Sequence, residues 1–243
     1  MTAETAAGTP LPPPGEAMVR RSSGEQAALY IRRLIFDGRL RQGDRVPQDE
    51  IARRLGVSRI PVREALLSLE REGWVTIRPH RGAFIGSLDE AAVRDHYALY
   101  GLIYGFAAQR ATERRTPEMV DRLNAVCGRF DGEDDPAVVA RLNREFDGLI
   151  LKTASSPRLR AVLRAMVGIV PGNFFALVPG ATEVQREGVV RVLAAIAAGD
   201  GKGSAEAYAS MLQRQGELVA ELFKSRGLFL GRTAADGGDP AGR

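Results

Sequence analysis

The sequence predicts a mainly α protein: a small helical head carrying a two-stranded hairpin, then an all-helical bundle. Three observations lead there. Residues 48–70 read as two short helices joined through a glycine. Two β-rich runs, Trp74–Ile77 and Ala83–Ile85, follow directly. Beyond Ile85 no strand-like run occurs, and helix breakers cut the chain into helical lengths.

Taken in order, residues 1–18 are rich in Pro, Ala, Thr and Gly and hold little to bury, so a disordered tail is expected. A helix over about 24–37 follows from apolar Ala28, Ile31, Leu34 and Ile35, with Gly38 as its stop. Arg32 and Arg33 on it are candidates for phosphate contact or for a merely solvated face. Gln48–Leu55 carries Ile51 and Leu55 one turn apart, and Gly56 stands where a helix ends in a left-handed residue. Val57 is a hinge candidate expected to be buried. Ser58 is an N-cap candidate for a second helix with Val62, Ala65, Leu66 and Leu69 on its apolar face. Pro61 falls in the first turn, where a missing N–H costs nothing. Two helices on a tight glycine turn form a helix-turn-helix. The exposed start of the second carries Ser58, Arg59 and Arg63, chemistry suited to phosphates and guanine edges in a major groove.

The β-rich runs flank Arg78-Pro79-His80-Arg81-Gly82, which reads as a two-stranded wing with a basic tip. Ser87 with Glu90 forms a candidate capping box. Helices are then expected over 88–113, 117–130, 136–153, 157–170, a short one near 173–178, 182–198 and 204–226. The expected units are a head over 19–86, a helical bundle over 87–228 and a flexible Gly-rich tail over 229–243.

The composition, 44% hydrophobic and 26% charged over 243 residues, is ordinary for a soluble protein of one or two domains. No apolar run approaches the ~18 residues of a membrane span, and the N-terminus lacks the basic start and apolar core of a signal peptide. Cys127 is the single cysteine, so no intrachain disulfide can form. A cytoplasmic protein without membrane contact is expected. Residues 19–82 hold 14 Arg against 8 acidic residues, whereas 83–243 hold 20 basic and 20 acidic. The positive excess therefore lies with the helix-turn-helix, as a nucleic-acid footprint should. An enzyme is not expected: Cys127 has no nearby His, and Asn143 and Asp147 lack a second carboxylate for acid–base work.

Asp49-Glu50-Ile51-Ala52, Leu55-Gly56-Val57-Ser58-Arg59, Pro61-Val62-Arg63-Glu64-Ala65-Leu66 and Glu72-Gly73-Trp74 together resemble the winged helix-turn-helix of GntR-type bacterial transcription regulators. The resemblance implies a dimer on a pseudo-palindromic double-stranded DNA operator. Arg59 and Arg63 would read bases, with Ser58 and Pro61 at the same helix start and Arg33 behind it. The wing tip, His80, Arg81 and Gly82, would reach the minor groove. The helical remainder resembles the FadR-type subclass with its all-helical effector domain, FCD; the run Ala195-Ile196-Ala197-Ala198-Gly199-Asp200 and Met211 are similar to that domain.

Many FCD domains hold a divalent metal with one Asp and three His. The matching positions here are Asn143, Asp147, Val189 and Arg214, so all three His are lost and a metal cofactor is not expected. Tyr100 and Tyr104 replace the Arg and Glu usual in the family. Two readings stay open. One is a metal-free pocket for a small-molecule effector, partly apolar or acyl-type, with Asn143 and the Tyr hydroxyls giving direction and Arg214 gripping an acid. The other is a vestigial pocket in an effector-independent regulator, with Arg214 merely ion-paired to Glu217 and the tyrosines core. Repression is the family's more common mode.

Overall fold

The computed structural model describes residues 22–86, 89–166 and 169–229. The expected disordered tail at 1–18, the Ser87 cap and all but the first residue of the tail at 229–243 lie outside them. Phe229 itself packs on Phe223, ring centroids 6.0 Å apart.

The head begins with α1 (Ser23–Phe36), opened by a reciprocal capping box: the Glu25 N–H donates to Ser22 Oγ at 3.1 Å and the Ser22 N–H to Glu25 Oε2 at 2.8 Å. In α2 (Gln48–Leu55) the stop falls at Gly56, φ 65°. The Val57 N–H then reaches back to the Ala52 carbonyl at 3.0 Å. Val57 is half-buried and packs against the head core. The next helix, α3 (Arg59–Arg71), buries Val62, Ala65, Leu66 and Leu69. Ser58 occupies its N-cap position, but its hydroxyl caps nothing and stays exposed.

The wing is β1 (Val75–Arg78) antiparallel to β2 (Gly82–Ile85), with Val75 opposite Ile85 and Arg78 opposite Gly82. Its free edge is covered. The Val46 N–H donates to the Ala83 carbonyl at 2.9 Å, the Ile85 N–H to Asp44 at 2.9 Å and the Gly43 N–H to Ile85 at 3.0 Å. Residues 43–46 thus lie along β2, where the sequence suggested only a tight connection.

The bundle comprises α4 (Glu90–Glu113), α5 (Pro117–Gly128), α6 (Pro136–Ala154), α7 (Pro157–Ala165), α8 (Phe174–Leu177), α9 (Ala181–Ala198) and α10 (Gly201–Ser225). No strand follows Ile85 among the described residues. Asp89 caps α4, accepting from the Ala91 N–H at 3.0 Å. The last helix starts at Gly201, three residues before its expected start, because Asp200 accepts the Gly203 N–H at 2.8 Å and turns a breaker into a cap. The expected helix over 157–170 stops at Ala165.

Packing is closest between α4 and α10. A Cβ on Gly105 would lie 2.8 Å from the Ala205 carbonyl oxygen, and one on Gly216 2.6 Å from Tyr97 Cβ. A buried Thr112–Ser204 hydroxyl contact at 2.9 Å pins the same pair of helices. The far end of α10 reaches the head: the Phe223 ring meets Phe36 at 5.8 Å and Trp74 at 6.4 Å. The Arg226 guanidinium lies 3.9 Å over the Phe36 ring. Head and bundle therefore share one continuous apolar cluster through α10.

Candidate functional site

The first site is the basic face of the head. Gly56 ends α2 so abruptly that the start of α3 projects from the body. Ser58, Arg59, Ile60 and Arg63 are exposed there, Ile60 at 68%, while Pro61 is half-buried. Arg45, Arg53, Arg59 and Arg63 line one cleft of about 600 Å³ with the acidic start of α2. Arg59 Nε lies 2.6 Å from Asp49 Oδ1 as an ion pair, with both side chains largely in water. Such a pair holds the guanidinium in place without neutralising the cleft, and it exchanges easily for a phosphate or base edge. The unpaired N–H groups at the start of α3 add partial positive charge.

At the wing tip His80 and Arg81 are exposed, His80 in the left-handed region at φ 57°. Gly82 has φ 101°, and a Cβ there would meet Arg45 Nε at 3.1 Å. Arg45 therefore lies against the wing and also lines the cleft. Neither Arg45 nor Arg53 is picked out by the sequence motif; the arginine surplus of the segment was the available signal. Arg33 is exposed, 3.8 Å from Asp37. Arg32 is a correction. It is buried and ion-paired to Glu72, because Ala28, Ile31, Arg32 and Ile35 share the i, i+3, i+4, i+7 stripe facing the core. It has no route to phosphate.

The second site is a cavity of about 220 Å³ inside the bundle. Tyr100 and Tyr104 from α4, Asn143 and Asp147 from α6, and Tyr208 from α10 meet there. Tyr104 stacks on Tyr208 with centroids 5.0 Å apart and planes 13° apart, and Tyr100 stands edge-on to Tyr104 at 5.0 Å. A polar chain crosses the floor. Gln215 Nε2 donates to Gln185 Oε1 at 2.7 Å, Gln185 Nε2 to Asn143 Oδ1 at 2.7 Å, and Asn143 Nδ2 to Asp147 Oδ2 at 3.3 Å. The Tyr208 hydroxyl donates to Asp147 Oδ1. Burial pushes the Asp147 carboxyl up to about 7, against the opposing pull of the Tyr208, Tyr104 and Asn143 donors. Burial also raises the Tyr97, Tyr104 and Tyr208 hydroxyls far above neutrality, so they stay protonated donors. Sequence reasoning missed Tyr208, Gln185 and Gln215; these lie on helices far from the Asn143–Asp147 pair in sequence.

Two expected pocket residues stand elsewhere. Val189 is fully buried, and its carbonyl accepts from Cys127 Sγ at 3.8 Å. Arg214 does not line the cavity. Its Nη1 donates to Glu187 Oε2 at 2.6 Å across α9 and α10, not to Glu217, which pairs with Arg94. The donor set does not fit the metal held by many FCD domains. It offers one carboxylate whose oxygens already accept two or three hydrogen bonds, one amide already bonded at its oxygen, and no imidazole.

Residues 23–85 match the family described as bacterial regulatory proteins, gntR family, and residues 95–214 match the FCD domain. An HTH-type transcriptional regulator of Mycobacterium tuberculosis is 38% identical over 151 residues, 62% of each chain. The chain thus spans under two thirds of that relative. An HTH-type regulator from the ttuE-ttuC' intergenic region of Agrobacterium vitis is 37% identical over 138 residues, 53% of this chain and 81% of that one. The fold is also that of McbR/YncC from E. coli, with a TM-score of 0.56 and 22% identity over 85% of this chain and 100% of that one. With a glycine-stopped helix-turn-helix, a paired wing and a helical bundle behind them, this chain belongs to the gntR family of bacterial regulatory proteins and carries an FCD domain.

Proposed function

We propose that the protein is a cytoplasmic, sequence-specific DNA-binding transcription regulator, acting as a homodimeric repressor on a pseudo-palindromic operator. Its operator affinity is set by a small molecule in the bundle cavity, without a metal. The head (19–86) binds DNA and the bundle (87–228) binds effector and partner copy. The observation that carries the reading is the arginine-lined cleft at the exposed start of α3. Arg59 and Arg63 read base edges there, Arg45 and Arg53 hold phosphate, and His80, Arg81 and Gly82 enter the adjoining minor groove. Leu99, Leu102 and Phe106, exposed at 54%, 65% and 49% at i, i+3, i+7 on α4, offer the apolar stripe that a second copy would cover. Coupling runs along α10, which carries Tyr208 and Gln215 at the cavity and Phe223 against the head. A ligand that favours one seating of α10 changes the spacing of the two heads by population shift.

Arg63→Ala tests the reading. It is expected to weaken binding to a selected operator by about 1–3 kcal/mol and to random DNA far less. An equal loss on both would reduce Arg63 to a phosphate contact. One observation favours a second reading, an effector-independent regulator with a vestigial pocket: the cavity's polar side chains already hydrogen-bond to one another in a line from Gln215 to Tyr208. Native mass spectrometry of the freshly purified protein separates the two. A dimer with a discrete added mass supports the effector; a bare dimer that no extract fraction dissociates from operator DNA supports the vestigial pocket.

A further inference from the structure

We infer that the bundle cavity is built for a small organic cation, an ammonium group seated against Asp147 within a cage of aromatic rings. The inference rests on the reading of that cavity as the effector site.

Charge is the first argument. Among the described residues lining the cavity Asp147 is the one acid, and none of them is Lys, Arg or His. Arg214 is held on the surface by Glu187, and Arg144 is exposed in an outer cleft that adjoins the cavity at Asn143. An anionic ligand in the inner chamber would face a carboxylate with no compensating charge, at the full penalty of desolvation. An ammonium would find its counter-ion already in place.

The rings are the second argument. Tyr100, Tyr104 and Tyr208 line one side, and Phe174 and Phe175 from α8 also line the cavity. The Tyr104–Tyr208 stack and the edge-on Tyr100 turn π-faces and edges towards one small volume. Aromatic faces attract desolvated cations, and quaternary or primary ammonium groups are their usual guests. Tyr208 also donates a hydrogen bond to Asp147, which leaves its oxygen and ring richer in electron density.

Preorganisation is the third. Donors from α10 and α6 fix both carboxylate oxygens, and the Asn143 amide is itself oriented by Gln185 and Gln215. A carboxylate has about four lone-pair sites, so one or two remain for a ligand N–H. The chamber, about 220 Å³, holds roughly seven water-sized groups. That admits a compact amine and not a long chain.

Proton linkage supplies a readout. Among the described residues the titratable groups facing Asp147 are Tyr100 and Tyr104 on α4 and Tyr208 on α10; His96 stacks behind Tyr100 and burial lowers its affinity for a proton. Among the described residues lining the cavity, Asp147 is the group whose charge changes near neutral pH.

The experiment is isothermal titration of the full-length protein with tetramethylammonium and butylammonium, against tert-butanol and pivalate as neutral and anionic shapes of similar size. The cations are expected to bind in the millimolar range or tighter and the other two not at all. Affinity for the cations should fall about tenfold from pH 8 to pH 6, about tenfold in Asp147→Asn at pH 8, and severalfold in Tyr100→Leu, with each variant's circular dichroism unchanged. Pivalate binding that strengthens in Asp147→Asn would overturn the cation and leave the cavity as an effector site. No binding by any probe would also overturn the cation; native mass spectrometry of the same preparation then decides the effector site separately. Cation binding that ignores both pH and Asp147→Asn would overturn the seat proposed here.

Discussion

Removing Glu72 tests how α3 is held against α1. Arg32 is 4% exposed and Glu72, at the C-terminal end of α3, 26%. Arg32 Nε has no partner in its buried position, and Glu72 is the counter-charge of the guanidinium. Glu72 also accepts from Ser68 Oγ at 3.1 Å. In Glu72→Ala the guanidinium stays buried without a counter-ion. Breaking a buried pair in this way costs about 3–5 kcal/mol. Water reaches Glu72, so the lower end applies, about 3 kcal/mol. Because head and bundle share one apolar cluster, a single transition is expected, with a midpoint roughly 6–12 °C lower. Replacing both partners is a different perturbation. Arg32→Met with Glu72→Ala removes the stranded charge and fills the site with an apolar chain, so stability should return to within about 1 kcal/mol of the wild type. Urea unfolding followed by circular dichroism measures all variants. A loss below about 0.5 kcal/mol in Glu72→Ala, the scale of an exposed pair, or an additive double variant, would refute the reasoning.

Other expectations follow from the same geometry. Phe223→Ala empties the joint between Phe36 and Trp74; it should cost about 3–5 kcal/mol, visible in urea unfolding, and loosen the head's response to any effector. Gly105→Ala places a Cβ 2.8 Å from the Ala205 carbonyl, so α4 and α10 must separate, lowering stability by about 1–3 kcal/mol despite the better helix propensity. The folded Asp147 has its pKa raised to about 7, above its unfolded value of about 3.9. Its contribution to stability is therefore full below about pH 4 and lost as pH rises through 7. Asp147→Asn should match the wild type near pH 4 and exceed it at pH 8 by at most about 4 kcal/mol, read from denaturation midpoints across that range.

What the sequence made legible is local. The Gly56 stop, the apolar face of α3 and the two strands of the wing each depend on residues within a turn or two, and their periodicity and caps are visible in the chain. Arg32 was misplaced because a charged residue on a buried stripe looks solvated until its partner, forty residues away, is known. The cover on β2 from residues 43–46 is a long-range pairing with no periodic signature. In the cavity, Tyr100, Tyr104, Asn143 and Asp147 were reached through family positions, and the structure brings them together. The same positions gave Val189, whose helix turns it into the core, and Arg214, which finds Glu187 on the neighbouring helix. Tyr208, Gln185 and Gln215 complete the network from two other helices, a convergence that only packing creates.

In the proposed function the exposed start of α3 reads DNA sequence. Selection of bound fragments from a random duplex pool by the full-length protein tests it most directly, with Arg63→Ala run in parallel. The wild type is expected to enrich one short pseudo-palindrome with guanines in each half-site, and Arg63→Ala to lose that preference while still retaining duplex at low salt. A wild-type pool with no enriched motif, or the same motif enriched by both proteins, would contradict it.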